Sequence, residues 1–154
     1  MLIPHGAPLR KTYSKEIMMI VDTIKNTLKF FNIKTDINVN AFSEYRKIST
    51  RAKGIYIIIQ GNTVVYVGKG NIRARQVHHW NKANNIIKPG TQDPDGWKWL
   101  REHIDIYPAT WTIYHLELYK ETEKSAVEGA LIHLLQPLAN DETFRDRRTE
   151  LVNS

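Results

Sequence analysis

The chain has 154 residues, 42% of them hydrophobic and 25% charged, which predicts one soluble domain with a hydrophobic core of its own. It contains no cysteine, which excludes disulfides and cysteine nucleophiles, and its apolar runs fall far below the ~20 residues that span a bilayer. The net charge of +6 and the lack of a signal-peptide stretch in residues 1–10 predict a cytoplasmic protein with a polyanionic partner.

The first 53 residues predict an irregular arm, a helix, and a short strand followed by a short helix. Residues 1–13 form the arm, and Ser14 can cap a helix that begins directly after it. Residues 32–53 predict the short strand and then the short helix, around Phe42–Ile48. The apolar side chains that would share one face of the first helix are Ile17, Ile20, Val21, Ile24, Leu28 and Phe31.

The rest of the chain predicts a β-hairpin, a helix, a third strand and a last helix. Asn71 can cap the first of these helices, and Pro137 ends the last one. This order predicts an α+β fold with a small three-stranded, mainly antiparallel sheet flanked by helices and a helical N-terminal extension. The predicted elements are strands 54–60 and 63–67 around a turn at 61–62, helix 72–83, loop 84–96, a short helix 97–104, strand 110–119 and helix 122–135.

Positive charge is concentrated in two parts of the chain. Residues 1–53 contain ten Lys or Arg and four Asp or Glu, whereas residues 54–154 contain twelve of each. Within that neutral part, residues 66–90 carry no acid at all. A basic stripe suits nucleic acid, because each neutralised phosphate releases counterions, although a solvated basic face is the alternative. The cations of the stripe are Lys69, Arg73, Arg75, Lys82 and Lys88.

Two tripeptides face each other across the predicted hairpin. Gly54-Ile55-Tyr56 and Tyr66-Val67-Gly68 resemble the signature of the GIY-YIG nuclease family. The family pattern continues with a Gly-Lys, an apolar residue, an Arg and often a His. The loop after the Gly-Lys is one residue shorter here than in many relatives, which leaves the register of the helix intact. The matching residues are Gly68, Lys69, Ile72, Arg75 and His79.

The last predicted helix resembles the second half of the same family. Glu128 matches the metal-binding carboxylate, and the apolar pair, the Gln-Pro and the Asn follow it in order at Leu131-Ile132, Gln136-Pro137 and Asn140. The resemblance covers residues 54–140. It implies a nuclease domain over 54–140, a basic N-terminal extension over 1–53 and a C-terminal tail over 141–154.

Phosphodiester hydrolysis needs an activated water, a cation on the phosphoryl oxygens and a proton source. Tyr56 would act as the general base or position the water, with its pKa lowered by Lys69 or by a metal. His79 would accept the tyrosine proton or orient the hydroxyl, and Arg75 would clamp the phosphate. Tyr66 would orient the water or the phosphate.

A divalent ion, Mg²⁺ or Mn²⁺, would bind at Glu128, the one carboxylate of a nearly all-apolar helical stretch. Asn140 would donate and accept hydrogen bonds within the site. Further DNA contacts are expected from Arg73, Lys82 and Lys88.

Taken singly, each of these residues has an ordinary structural explanation, such as a core tyrosine or a solvated arginine; as a set in register they predict function. Trp97, Trp99 and Trp111 are expected in the core or at its rim. We expect a restriction-like or phage-borne stand-alone endonuclease for double-stranded DNA. The alternatives are an inactive nucleic-acid-binding protein of the same fold and an RNA-cleaving nuclease; dimerisation is left open.

Overall fold

The computed structural model describes residues 14–86 and 95–140, which contain four strands and four α-helices. The strands are β1 (Asn38–Ala41), β2 (Lys53–Gln60), β3 (Thr63–Asn71) and β4 (Thr112–Glu117). The helices are α1 (Lys15–Phe30), α2 (Ile72–Ala83), α3 (Asp95–His103) and α4 (Glu121–Leu135), with 3₁₀ segments over Phe42–Lys47 and Pro108–Thr110. The predicted arm over 1–13, the predicted tail over 141–154 and most of the predicted loop lie outside the described residues.

The predicted hairpin is confirmed, and its second strand is longer than the sequence indicated. β2 and β3 pair antiparallel across the turn at 61–62, where Gly61 adopts a φ of +60°. β3 continues beyond residue 67 because Gly68 pairs with Tyr56 and Asn71 pairs with Lys53. The Gly-Lys pair of the family pattern therefore lies on a strand rather than in a loop.

The sheet has four strands, so the predicted number of three is wrong. Its order is β1-β4-β2-β3, and all three neighbouring pairs are antiparallel. The fourth strand is β1. The sequence predicts a short strand in this segment but does not assign it to the sheet. β1 joins the sheet through β4, with Asn38 opposite His115. The alternation of a four-residue strand can indicate which side chains face the core, but it does not identify a partner strand more than 70 residues away.

Two layers of helices cover the two faces of the sheet. The alternating side chains of β2 divide between them: Ile55, Ile57 and Ile59 pack with α1 and α4, whereas Tyr56 and Ile58 pack with α2, α3 and the first 3₁₀ segment. This alternation is the ordinary consequence of the two-residue period of a strand. The arrangement confirms the α+β class.

Helix α1 begins at the predicted cap, where the Ser14 hydroxyl accepts a hydrogen bond from the Ile17 N–H at 3.1 Å. Its predicted apolar face packs on the sheet and on α4, with Ile24 fully buried. Each such buried Ile or Leu contributes about 1.5–3 kcal/mol through removal of apolar surface from water. The described part of the predicted extension therefore shares its core with the predicted nuclease module.

No helix within residues 14–86 and 95–140 combines the length and the apolar character needed to cross a lipid bilayer.

Candidate active site

The two tyrosines of the signature meet the first residues of α2 at one edge of the sheet. β3 is the edge strand, and α2 starts directly where β3 ends. Asn71 caps the helix as predicted, since its side chain accepts a hydrogen bond from the Ala74 N–H at 3.0 Å. The Ile72 N–H donates to the carbonyl of Ala52, which ties the start of α2 to the strand entry. Side chains of α2 are thereby held beside β2 and β3.

The centre of the site is a hydrogen bond of 2.7 Å between the Tyr56 hydroxyl and Nε2 of His79. Both side chains are buried, with 2% and 4% of their surfaces exposed. The Tyr66 ring lies 4.2 Å from the His79 ring, centroid to centroid, and 6.1 Å from the Tyr56 ring in a nearly parallel stack. Three residues that the sequence assigned to catalysis are therefore in mutual contact.

Glycine is required at two signature positions. A β-carbon at Gly68 would overlap the hydroxyl of Tyr56 and the ring of Tyr66, so only glycine lets the two tyrosines stack over β3. A β-carbon at Gly54 would overlap the backbone carbonyl of Leu116 on the neighbouring strand. These two glycines are thus explained by close approach within the sheet.

The buried pair at the centre of the site is uncharged. Burial raises the pKa of Tyr56 well above its ordinary value, with smaller contributions in the same direction from Tyr66 and Glu128, while Arg75 lowers it. Burial lowers the pKa of His79 to about 3, and the positive charges of Lys82 and Arg75 act in the same direction. Tyr56 is therefore a phenol rather than a tyrosinate, and His79 a neutral imidazole.

The ammonium of Lys69 does not serve Tyr56 as the sequence suggested. It donates to the carboxylate of Glu121 at 2.6 Å and to the hydroxyl of Ser125 at 2.9 Å, both on α4. Lys69 and Lys124 together hold the pKa of Glu121 at about 2. The cation that favours the anionic form of Tyr56 is Arg75 instead.

The other predicted cations of α2 differ in exposure. Arg75 is exposed, and its guanidinium Nε would lie 3.2 Å from a β-carbon at Gly70, so it leans over the end of β3. Arg73 and Lys82 are half-buried. Lys88 lies outside the described residues. Arg75, His79 and Lys82 occupy one flank of the helix, as their spacing predicted.

Glu128 approaches the site from α4. Its side chain is half-buried, and its negative charge raises the pKa of both Tyr56 and Lys69, so the carboxylate acts electrostatically on both groups. Within residues 14–86 and 95–140, no three His, Cys, Asp or Glu side chains are grouped closely enough to hold a metal ion by themselves. From the described residues, a metal at Glu128 would therefore have at most one further ligand of these four types.

The side chain of Asn140 contacts the backbone of the signature rather than open space. Its Oδ1 accepts from the Val67 N–H at 2.9 Å, and its Nδ2 donates to the Val67 carbonyl at 2.7 Å. The neighbouring N–H of Ala139 donates to the Val65 carbonyl. Asn140 therefore fastens the chain after α4 to the free edge of β3, next to Tyr66.

Trp97 belongs to the site although the sequence placed it only in the core or at its rim. It is fully buried, its ring lies nearly parallel to that of Tyr66 at 5.9 Å, and its centroid is 5.5 Å from that of His79. Trp97 thus covers His79 together with the two tyrosines and contributes to its burial. No sequence signal indicated this contact, because Trp97 follows the signature by 29 positions, on a separate helix.

In comparisons with protein-family models, curated proteins and solved structures, no match to this chain was found.

Proposed function

We propose that the chain is a metal-dependent endonuclease of the GIY-YIG type that hydrolyses phosphodiester bonds in double-stranded DNA. The observation that carries the proposal is the buried Tyr56–His79 hydrogen bond, set beside the exposed Arg75 and the carboxylate of Glu128. A tyrosine in a protein core needs only one hydrogen-bond partner for its hydroxyl. It does not need an imidazole, a guanidinium and a carboxylate arranged around that hydroxyl.

Substrate binding is assigned to the cations of α2. Arg75 is exposed and its charge acts on Tyr56, and its guanidinium would hold the scissile phosphate by two parallel hydrogen bonds. Arg73 and Lys82 would contact neighbouring phosphates on the same strand. Because a guanidinium also stabilises the charge added to phosphorus during attack, Arg75 contributes to the rate as well as to affinity.

Proton transfer is assigned to the tyrosine and the histidine. Since Tyr56 is protonated, it takes a proton from water only as it gives its own to Nε2 of His79. The attacking hydroxide then forms the new bond to phosphorus as the bond to the leaving oxygen breaks, and the leaving oxygen takes a proton from solvent water. The imidazolium of His79 afterwards gives the proton that it accepted to solvent, which restores the neutral pair. A phosphodiester anion held by Arg75 brings negative charge towards His79 and favours its protonated form.

The donor set around Glu128 fits Mg²⁺, which keeps several waters and commonly binds through one or two carboxylates together with substrate phosphate. A bound divalent ion would polarise the phosphoryl oxygens as a Lewis acid. Glu121 adds no ligand while it is paired with Lys69 and Lys124. Tyr66 would orient the water, Lys69 would hold α4 against β3, and Asn140 would hold the edge strand beside the site.

A plasmid assay tests this proposal. The wild type is incubated with supercoiled plasmid and, separately, with RNA, with and without Mg²⁺. Glu128→Gln keeps the shape of the side chain and removes the charge, so it should abolish cleavage and leave DNA binding in place. Glu123→Gln, on the same helix, is the matched control and should cut normally.

Each result separates the proposal from its alternatives. Mg²⁺-dependent cutting of plasmid alone supports a DNA endonuclease, and cutting of RNA alone identifies a ribonuclease. Binding without cutting in every condition identifies an inactive binding protein of the same fold. Wild-type rates for Glu128→Gln in Mg²⁺ would remove the metal assignment.

A further inference from the structure

A cavity of about 300 Å³ opens on the flank of α2 opposite to Arg75 and Lys82. With 3.6 residues per turn, Gln76, Val77 and Trp80 point away from the flank that carries these two cations. The cavity lies between this second flank and the first 3₁₀ segment. Its volume is at the lower end of the range for small-molecule sites.

The walls of the cavity are aromatic. The rings of Phe42 and Trp80 are nearly parallel with centroids 5.8 Å apart, and Tyr45 lies 6.1 Å from Phe42. Trp80 keeps 37% of its surface exposed, which is unusual for a tryptophan beside a core. The guanidinium of Arg46 lies 5.6 Å above the Tyr45 ring and places a positive charge at the rim. A planar ring carrying a phosphate would match these surroundings.

One polar side chain lines the cavity without its full set of partners. Gln76 is fully buried, and its Nε2 donates to the Ile72 carbonyl at 2.8 Å. That bond fixes the orientation of the amide and leaves Oε1 as the acceptor still in need of a partner. Within the described part of the chain, Oε1 accepts no hydrogen bond. A buried acceptor left unsatisfied costs stability. Leucine would fill the same space without this cost.

We propose that this cavity binds one nucleobase displaced from the base stack of the DNA, near the bond that the enzyme cuts. The base would lie against the Trp80 ring and donate an N–H to Oε1 of Gln76, with Arg46 at its phosphate. An amino group such as N6 of adenine supplies that donor. This inference rests on the proposed nuclease function.

The position of the cavity suits such a base. A helix with its side chains is about 10 Å across, so the two flanks of α2 are separated by only a few nucleotides of a strand. Trp80 follows His79 directly in sequence. A strand whose phosphate is held by Arg75 can therefore turn one base around α2 into the cavity.

The first test compares two duplexes by fluorescence anisotropy in EDTA, one fully paired and one with a single unpaired adenine. The wild type should bind the second about tenfold more tightly or better, which is the usual worth of one stacked base. Trp80→Ala should lose this preference. Phe30→Ala removes an exposed aromatic ring from α1 and should keep it.

The second test isolates the hydrogen bond and does not depend on the stability of Trp80→Ala. Gln76→Leu should melt at the wild-type temperature or above it, because it removes an unsatisfied acceptor. The wild type should bind an unpaired adenine about tenfold more tightly than an unpaired purine that lacks the amino group. Gln76→Leu should bind the two alike.

The outcomes also distinguish failure of the base-binding proposal from failure of the proposed nuclease function. Equal binding to the paired and unpaired duplexes, with plasmid cutting intact, overturns the base pocket alone. Failure to bind either duplex overturns the proposed function together with the pocket. If binding is equal and Trp80→Ala dissolves a dimer of the wild type, the cavity is an interface with a second copy of the chain and the proposal is wrong.

Discussion

The hydrogen bond between Tyr56 and His79 combines two roles in one contact. As a bond between neutral buried groups it contributes only about 1 kcal/mol to the free energy of unfolding. As a path for a proton it would contribute far more to the rate, because general acid–base transfer is typically worth 10²–10⁴-fold. The two roles respond differently to removal of a single oxygen atom.

Tyr56→Phe should therefore preserve the fold and DNA affinity and lower the single-turnover rate of cleavage by about 10²-fold or more. The phenyl ring still stacks on Tyr66 but offers no proton to His79. Tyr119→Phe removes an exposed hydroxyl bonded to Glu117 and is the control. Normal cleavage by Tyr56→Phe, with only a slightly lower melting temperature, would reduce Tyr56 to a core residue.

Burial of His79 makes the stability of the protein depend on pH. The unfolded chain protonates this imidazole near its ordinary pKa of about 6.5, whereas the folded protein resists protonation down to a pKa of about 3. The unfolded state therefore binds more protons over this range. The contribution is fully present above pH 6.5 and is lost as pH falls towards 3, with a slope of up to about 1.4 kcal/mol per unit. Burial of His115 acts with the same sign.

Urea unfolding between pH 7 and pH 4 checks this expectation. His79→Phe should reduce the dependence of the free energy of unfolding on pH, because it removes the group that the unfolded state protonates. His78→Gln, at the exposed neighbouring position, should leave the slope in place. An unchanged slope in His79→Phe would contradict a neutral, buried imidazole.

At the scale of elements, α1 is a structural helix of the core and not a detachable arm. Ile24→Ala should cost about 2–5 kcal/mol, because this side chain is fully buried between the sheet and α4. Met19→Ala, on the exposed face of the same helix, should cost much less. Chemical denaturation of the two variants measures the difference. Equal small losses would show that α1 is not held against the sheet.

Deletion of residues 1–50 removes α1 and β1 together. The truncated chain should fail to fold, since β4 loses its partner on one side and the Ile-rich face of β2 loses its cover. Contacts of the N-terminal cations with DNA are therefore better tested by charge removal than by truncation. If residues 1–53 were an independent basic extension, the truncated chain would instead still fold.

For the whole molecule, the net charge of +6 predicts a steep fall of DNA affinity with salt, with a log–log slope of about −0.9 for each neutralised phosphate. Lys82→Gln should make the slope shallower by about 1 and weaken binding to all sequences alike. Lys29→Gln, on α1, removes the same charge away from α2 and should leave the slope unchanged. A flat affinity between about 50 and 200 mM salt would exclude binding dominated by phosphates.

Much of the local structure followed from the sequence because it depends on neighbours in the chain. Ser14 and Asn71 cap their helices as predicted, since a cap is set by groups three residues apart. The hairpin followed from a two-residue turn between β-rich runs, and α2 has the predicted bounds. The residues of the candidate site other than Trp97 were predicted from the sequence because they form a pattern in register.

Contacts between distant segments decided the rest. The fourth strand exists because β1 reaches β4, and Lys69 is paired with Glu121 because α4 packs along β3. Tyr56 is protonated because helices from three parts of the chain exclude water from it, and desolvation disfavours its charge more than Arg75 favours it. Neither the partner of a charged side chain nor the extent to which water is excluded from it follows from a fixed spacing of residues in the sequence. The sequence by itself determined which groups are present, and the tertiary structure decided which of them are charged, paired or exposed.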